Sequence, residues 1–222
     1  MARRALALMT ISAAAAAFAG SADSGEEDAF PTAGTRYESR LLPPGATDAR
    51  LGAHADVLLS TAGGVLVGDH GIASLGPGAL ALGLELGVGK CLVACGRLSP
   101  DLVVDRLLFS AAARVTYHLT IHGTAPNLAA TGFYALVEGG AALNLVDEQD
   151  ANARIHAVTY SPVITAGLGT TYFPGNSDEV FAGGEARLTD MPRFSALSVD
   201  PPQSLLQPQS VAPLAGASLI FF

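Results

Sequence analysis

Three glutamates, Glu85, Glu138 and Glu185, and three arginines, Arg114, Arg154 and Arg187, stand on stretches where polar and apolar residues alternate, with His118, His122 and His156 among them. Carboxylates and guanidinium groups gathered in one interior can pair with one another and close it, or they can line a path for an ion or solute. The balance of signs points to mutual pairing, a polar network with a structural role. Cys91 and Cys95 are close enough for a loop disulfide, but so small a ring adds little stability. Two cysteines also lack the further ligands a structural zinc would want. The chain has no Gly-x-Ser-x-Gly elbow, no phosphate-binding loop and no His-Glu-x-x-His motif. The expectation is therefore a protein that is not an enzyme and carries no cofactor.

These groups need strands to position them. From Leu107 the odd positions run Leu107, Phe109, Ala111, Ala113, Val115, Tyr117, Leu119 and Ile121, whereas the even ones from Ser110 run Ser110, Ala112, Arg114, Thr116, His118, Thr120 and His122. A two-residue period sustained this long exceeds the usual strand of about 5 to 6 residues. A helix, turning about 100° per residue, would scatter these polar groups around its whole circumference. A β-segment that crosses a bilayer at a tilt needs about 9 to 11 residues, which this stretch supplies with some to spare.

The same pattern recurs. Candidate strands are 52–60, 64–74, 79–90, 105–122, 129–146, 153–172, 180–189 and 211–222, with Pro162 dividing the sixth or marking a bulge. Turn chemistry separates them at Thr61-Ala62-Gly63, Leu75-Gly76-Pro77-Gly78, 123–127, 147–152 and 174–177. Leu80, Leu82, Leu84, Leu86 and Val88 form one apolar row with Glu85 on the opposite face. Phe133 to Leu145 oppose Glu138 and Asn144, Ile155 and Ala157 oppose Arg154 and His156, and Ala186 and Leu188 oppose Glu185 and Arg187. Charges thus fall opposite the apolar rows. Alternation alone leaves open which face is inside.

Composition narrows the setting. The 222 residues carry 12 Lys+Arg against 20 Asp+Glu, a formal charge of −8, and Lys90 is the only lysine. Nucleic acid, which needs clustered basic side chains, is not an expected partner. Arg3 and Arg4 precede an uncharged apolar run to Ala19, with small-residue cleavage positions after Ala19 and Ala22, the layout of a secretory signal peptide over residues 1–22. Residues 23–50, rich in acidic residues, Gly and Pro, read as a mobile arm, and 51–222 as one β-domain. Half the residues are hydrophobic and mean hydropathy is +0.38. Beyond the leader no run is long enough for a transmembrane helix of about 20 residues.

At Leu219-Ile220-Phe221-Phe222 the chain resembles the small, about eight-stranded outer-membrane β-barrel proteins of Gram-negative bacteria, whose last strand commonly ends in an aromatic residue. Pro213 and the absence of tryptophan depart from that pattern. The resemblance implies an antiparallel up-and-down transmembrane β-barrel in the cell outer membrane, with outer-membrane lipid and the barrel-assembly machinery as partners and Phe222 as the assembly signal. It also implies a lumen filled by Glu85, Arg114, His118, Glu138, Arg154, His156, Glu185 and Arg187, and long extracellular loops at 91–104 and 190–210 for anchoring or surface interaction. Two alternatives follow. One is a soluble secreted lipocalin-like barrel that binds a small apolar ligand, with the Leu rows inside. The other, remote, is a lipid-modifying barrel enzyme similar to lipid A deacylases, for which His122, Thr124 and Glu138 give only a loose match.

Overall fold

A computed structural model describes residues 36–56, 61–91, 103–149, 154–173, 182–192, 194–200 and 214–222. Each long alternating stretch is a strand: β2 (Thr47–Asp56), β3 (Thr61–Leu75), β4 (Gly78–Cys91), β5 (Val103–Leu119), β7 (Thr131–Gln149), β8 (Arg154–Tyr172), β9 (Ala182–Met191) and β11 (Leu214–Phe221). Short strands β1 (Tyr37–Glu38) and β6 (His122–Gly123) pair with each other, and β10 (Ser195–Asp200) continues beyond β9. A 3-10 turn, Pro126–Ala130, leads into β7. The fold is all-β and its ladders are antiparallel; one isolated bridge, Arg40 to Gly132, is parallel.

The order of pairing is circular. β8 pairs in turn with β7, and the series continues through β5, β4, β3, β2, β11 and β9, which pairs back with β8. Every long strand therefore has two hydrogen-bonded neighbours, so the unpaired edges that invite aggregation are covered. Leu75 pairs with Gly78 across Gly76-Pro77, where Gly76 has φ +57°, the arrangement of a two-residue hairpin turn with Gly first.

Several boundaries differ from the sequence expectation. Residues 36–50 belong to the paired structure rather than to a mobile arm: β2 starts at Thr47, and its Asp48 and Arg50 already keep the two-residue period. Thr61-Ala62-Gly63 opens β3 instead of forming a turn. Gly63 is there because a Cβ would run into the backbone of Val88 and Gly89 on the neighbouring strand. Asp190 to Asp200, expected in a loop, completes β9 and supplies β10. Pro162 neither divides β8 nor bulges against β7, where it pairs with Ala141. On its other side β9 reaches Ile164 and β10 resumes at Tyr160, so the residue without an N–H stands where the neighbouring strand is interrupted.

Burial follows the two-residue period, with charged residues buried and large apolar ones exposed. Arg114 is 1% exposed, whereas Leu84 is 67%, Leu168 65% and Leu188 68% exposed. Polar rows turn into the ring and apolar rows out. The inner face also keeps small apolar clusters, among them Ala142, Val163, Met191 and Phe194.

Candidate functional site

Side chains two apart on a strand share a face, and this places one or two inward polar groups on six of the strands at similar depth. β2 contributes Asp48 and Arg50, β3 Asp69, β4 Glu85, β5 Arg114, β7 Tyr134 and Glu138, and β9 Glu185 and Arg187. Arg114 sits directly opposite Glu138 in the β5–β7 register. The large groups face glycines on the adjoining strand: Arg114 is opposite Gly83, Tyr134 opposite Gly169 and Arg187 opposite Gly167. A Cβ at Gly83 would meet Asp69 and Arg114, and one at Gly169 would meet the Tyr134 ring. These glycines clear the space that the cluster occupies.

Arg114 is the hub. Its Nε lies 3.0 Å from Asp69 Oδ1, its Nη1 3.1 Å from Glu138 Oε1 and 3.5 Å from Glu85 Oε2, and its Nη2 2.9 Å from Glu185 Oε1. Arg187 reaches Glu85 Oε2 at 2.6 Å and Glu138 Oε2 at 3.2 Å through Nη1, and donates from Nε to Glu185 Oε2 at 2.6 Å. Arg50 spans Asp48 Oδ2 at 3.0 Å and Asp69 Oδ2 at 2.5 Å. It also donates to the Tyr134 hydroxyl at 2.6 Å, which in turn donates to Glu185 Oε1 at 2.6 Å. Isolated charges in such a place would cost several kcal/mol each. Here every one has an opposite partner, and the guanidinium forks supply the geometry for it.

Of the eight residues expected in this network, the structure brings together Glu85, Arg114, Glu138, Glu185 and Arg187. His118 is buried beside them, its ring 5.2 Å from that of Tyr134. Arg154 and His156 are a correction: they face outward, exposed, around Asp147, whose Oδ1 accepts from Arg154 Nε at 3.0 Å and lies 3.6 Å from His156 Nδ1. The inward row of β8 is instead Ile155, Ala157, Thr159, Ser161, Val163 and Thr165. Its phase is set by the outward apolar residues from Val158 to Leu168, and the two cationic residues lie at the strand's end, past that row.

The last strand turns Ile220 and Phe222, the expected assembly signal, to the inner side. Ile220 is buried and Phe222 is half-buried, with the Arg50 guanidinium 4.7 Å from its ring centre; Leu219 and Phe221 face out. Cys91 is disulfide-bonded, and the chain's one other cysteine, Cys95, lies outside the described residues, as do 92–102, 201–213 and the expected signal peptide at 1–22. His122 engages Glu38 at 3.3 Å on the surface, while Glu138 is held by Arg114 and Arg187, so the loose enzyme match is not assembled as a site. Sequence reading missed Arg50, Asp69 and Tyr134. The signal was available in the inward glycines opposite large residues and in the parity of β2 and β3.

A small space lies against the cluster, a cavity of about 80 Å³ bordered by Glu85, Glu138, Arg187, Thr165 and Thr189. Among the described residues no group of His, Cys, Asp and Glu is arranged to hold a metal ion. The chain matches no known protein family, and no curated protein is significantly similar to it in sequence.

Proposed function

We propose that the chain is an outer-membrane β-barrel protein of a Gram-negative bacterium, its ring of strands crossing the lipid and its lumen plugged by the ion cluster. Its role is structural or one of surface interaction, through the connections that follow Cys91 and Asp200. The observation that carries this reading is the sign of the alternation. Leu84, Val115, Val137, Ile164, Leu168 and Leu188 form an exposed belt while six strands bury charges behind it. Water-soluble proteins rarely expose a contiguous apolar patch beyond a few hundred Å², whereas a transmembrane barrel requires one.

The dimensions support it. The outward row from Leu107 to Leu119 rises about 40 Å along the strand and about 30 Å along an axis tilted by about 40°, enough for an apolar band of about 25 Å. The pattern of residues 1–22 fits export. A soluble lipocalin-like barrel would need these Leu rows on its inner face, and their exposure weighs for the membrane.

Fractionation and spin labelling test the reading. The full-length protein is expected in the outer-membrane fraction, extractable only with detergent. Nitroxides at Leu84, Val115 and Leu188 should be relaxed by lipid-dissolved oxygen and shielded from a water-soluble nickel chelate. Recovery in a soluble fraction, or relaxation by the nickel chelate at all three positions, would overturn it.

A further inference from the structure

The segment ahead of β2 is tied down at both ends. Ser39 N–H donates to the Ile121 carbonyl at 2.8 Å, Ser39 Oγ to the Leu119 carbonyl at 2.7 Å, and Arg40 N–H to the Thr131 carbonyl at 2.9 Å. Further along, Gly45 N–H donates to the Gly71 carbonyl at 2.8 Å and Gly71 N–H to the Ala46 carbonyl at 2.9 Å. The first set of partners flanks β5 and β7 and the second lies on β3, so residues 40–44 pass from one side of the ring's end to the other. A Cβ at Gly71 would strike the Pro43 carbonyl, which explains the glycine there. Behind this strap is a chamber of about 600 Å³, walled by Arg40, Leu41, Leu42, His118, Thr171 and Phe173.

Two observations make the chamber a binding site rather than leftover space. Its volume falls within the range of small-molecule pockets, about 300 to 1,000 Å³. His118 is 5% exposed and lines the chamber, yet its Nε2 has no hydrogen-bond partner. Buried polar atoms carry a desolvation cost that a ligand with the complementary group removes.

Charge and shape choose the ligand's class. Asp48, a carboxylate on the chamber wall, is engaged by Arg50 at 3.0 Å. The Arg50 guanidinium lies 5.3 Å from the centre of the Tyr134 ring that stands beside His118. Arg40 adds a second guanidinium on the chamber wall, stacked 4.5 Å from the Phe173 ring centre. Leu41, Leu42 and Phe173 offer an apolar wall. We infer that this chamber binds a small amphipathic carboxylate, its head toward His118 Nε2 and its tail along the strap. The ligand enters where the strap's few hydrogen bonds open. Nothing in this site depends on whether the outer face meets lipid.

The test uses the full-length protein folded in a maltoside detergent, with histidine labelled by ¹³C and ¹⁵N, titrated with octanoate, octanol and octylamine. His118 is assigned by comparison with His118→Phe. Octanoate should shift the His118 ring resonances saturably, with at least tenfold tighter apparent binding than octanol or octylamine. Leu42→Trp, which fills the chamber from the strap side and leaves the ion cluster alone, should abolish that saturation while the folded band on unboiled gels persists. The wild-type titration decides by itself if the variant does not fold: a shift that grows linearly without saturating means partition into detergent and overturns the site. Equal binding of octylamine overturns the carboxylate class, and unchanged saturation in a folded Leu42→Trp overturns the location.

Discussion

Replacing Arg114 by methionine removes the hub of the ion cluster while nearly preserving its volume, so the effect is electrostatic rather than that of a cavity. Four carboxylates lose a partner, but none is left alone. Asp69 keeps Arg50 at 2.5 Å, Glu85 and Glu138 keep Arg187 at 2.6 and 3.2 Å, and Glu185 keeps Arg187 and the Tyr134 hydroxyl. The residual pairing limits the loss to about 3 to 5 kcal/mol, the usual cost of breaking a buried ion pair from one side, rather than the sum over every contact. With a urea dependence of about 2 kcal/mol per molar, the unfolding midpoint should fall by about 2 M. Arg114→Met with Glu185→Gln should recover part of that, because one of the stranded charges is removed. Arg154→Met, which deletes an outward partner of Asp147, should leave the midpoint where it is. The assay is urea unfolding followed by gel mobility and circular dichroism in lipid vesicles. A midpoint for Arg114→Met within about 0.3 M of the wild type, or an equal drop for Arg154→Met, would refute the cluster as a stabilising centre.

Three further outcomes follow from the geometry. Leu84→Arg, in the middle of the outward row of β4, should cost about 2 to 4 kcal/mol in vesicles, whereas Leu75→Arg at the β3–β4 turn should cost about 0 to 1 kcal/mol; equal costs would remove the depth dependence that a bilayer imposes. Gly169→Val should push the Tyr134 ring away from Arg50 and Glu185 and lower stability by about 1 to 3 kcal/mol, and a neutral result would show that the glycine is not needed for room. Ser39→Ala removes the hydroxyl that donates to the Leu119 carbonyl and accepts from Ile121 N–H; it should speed hydrogen exchange at Arg40 and leave the strand amides of β5 protected, and unchanged exchange would mean that the strap is held by other contacts.

The strands were legible because a two-residue period is a property of neighbours in sequence. The inward and outward rows of β4, β5, β7 and β9 follow from it directly. Where the reading slipped, a local cue competed with the period. Pro43, Pro44 and Gly45 read as the edge of an arm, hiding that Asp48 and Arg50 already alternate with Ala49 and Leu51. Thr61-Ala62-Gly63 reads as a turn, although a glycine such as Gly63 also suits a place where two backbones close up. Arg154 and His156 alternate with Ile155 and Ala157, and charge opposite an apolar residue marks the inward face along the middle of a strand. That mark fails at a strand end, where the outer face is polar again. Asp69 joins Arg114 across β4, and Arg50 reaches Glu185 through Tyr134; contacts of such range are set by the closing of the ring and leave no trace at short spacing.

The ion cluster also bears on how one register is chosen from many. If the outer face meets lipid, burying apolar side chains distinguishes poorly between correct and slipped strands, since hydrocarbon lies outside in either case. A slip of one residue, however, exchanges the faces of a strand. It would turn Arg114, Asp69 or Glu138 toward lipid at about 2 to 4 kcal/mol for a basic residue near the midplane, and would strand its partners inside. Six strands carry such a charge at the level of the cluster. β8 carries none there and instead supplies Gly167 and Gly169, which leave space only if they stand opposite Arg187 and Tyr134. A slipped β8 would place Ala166 or Leu168 under those side chains. Charge therefore fixes the register of six strands and the absence of a side chain fixes a seventh, and with lipid outside this would account for a costly buried network in a ring whose outer surface could not choose its own alignment.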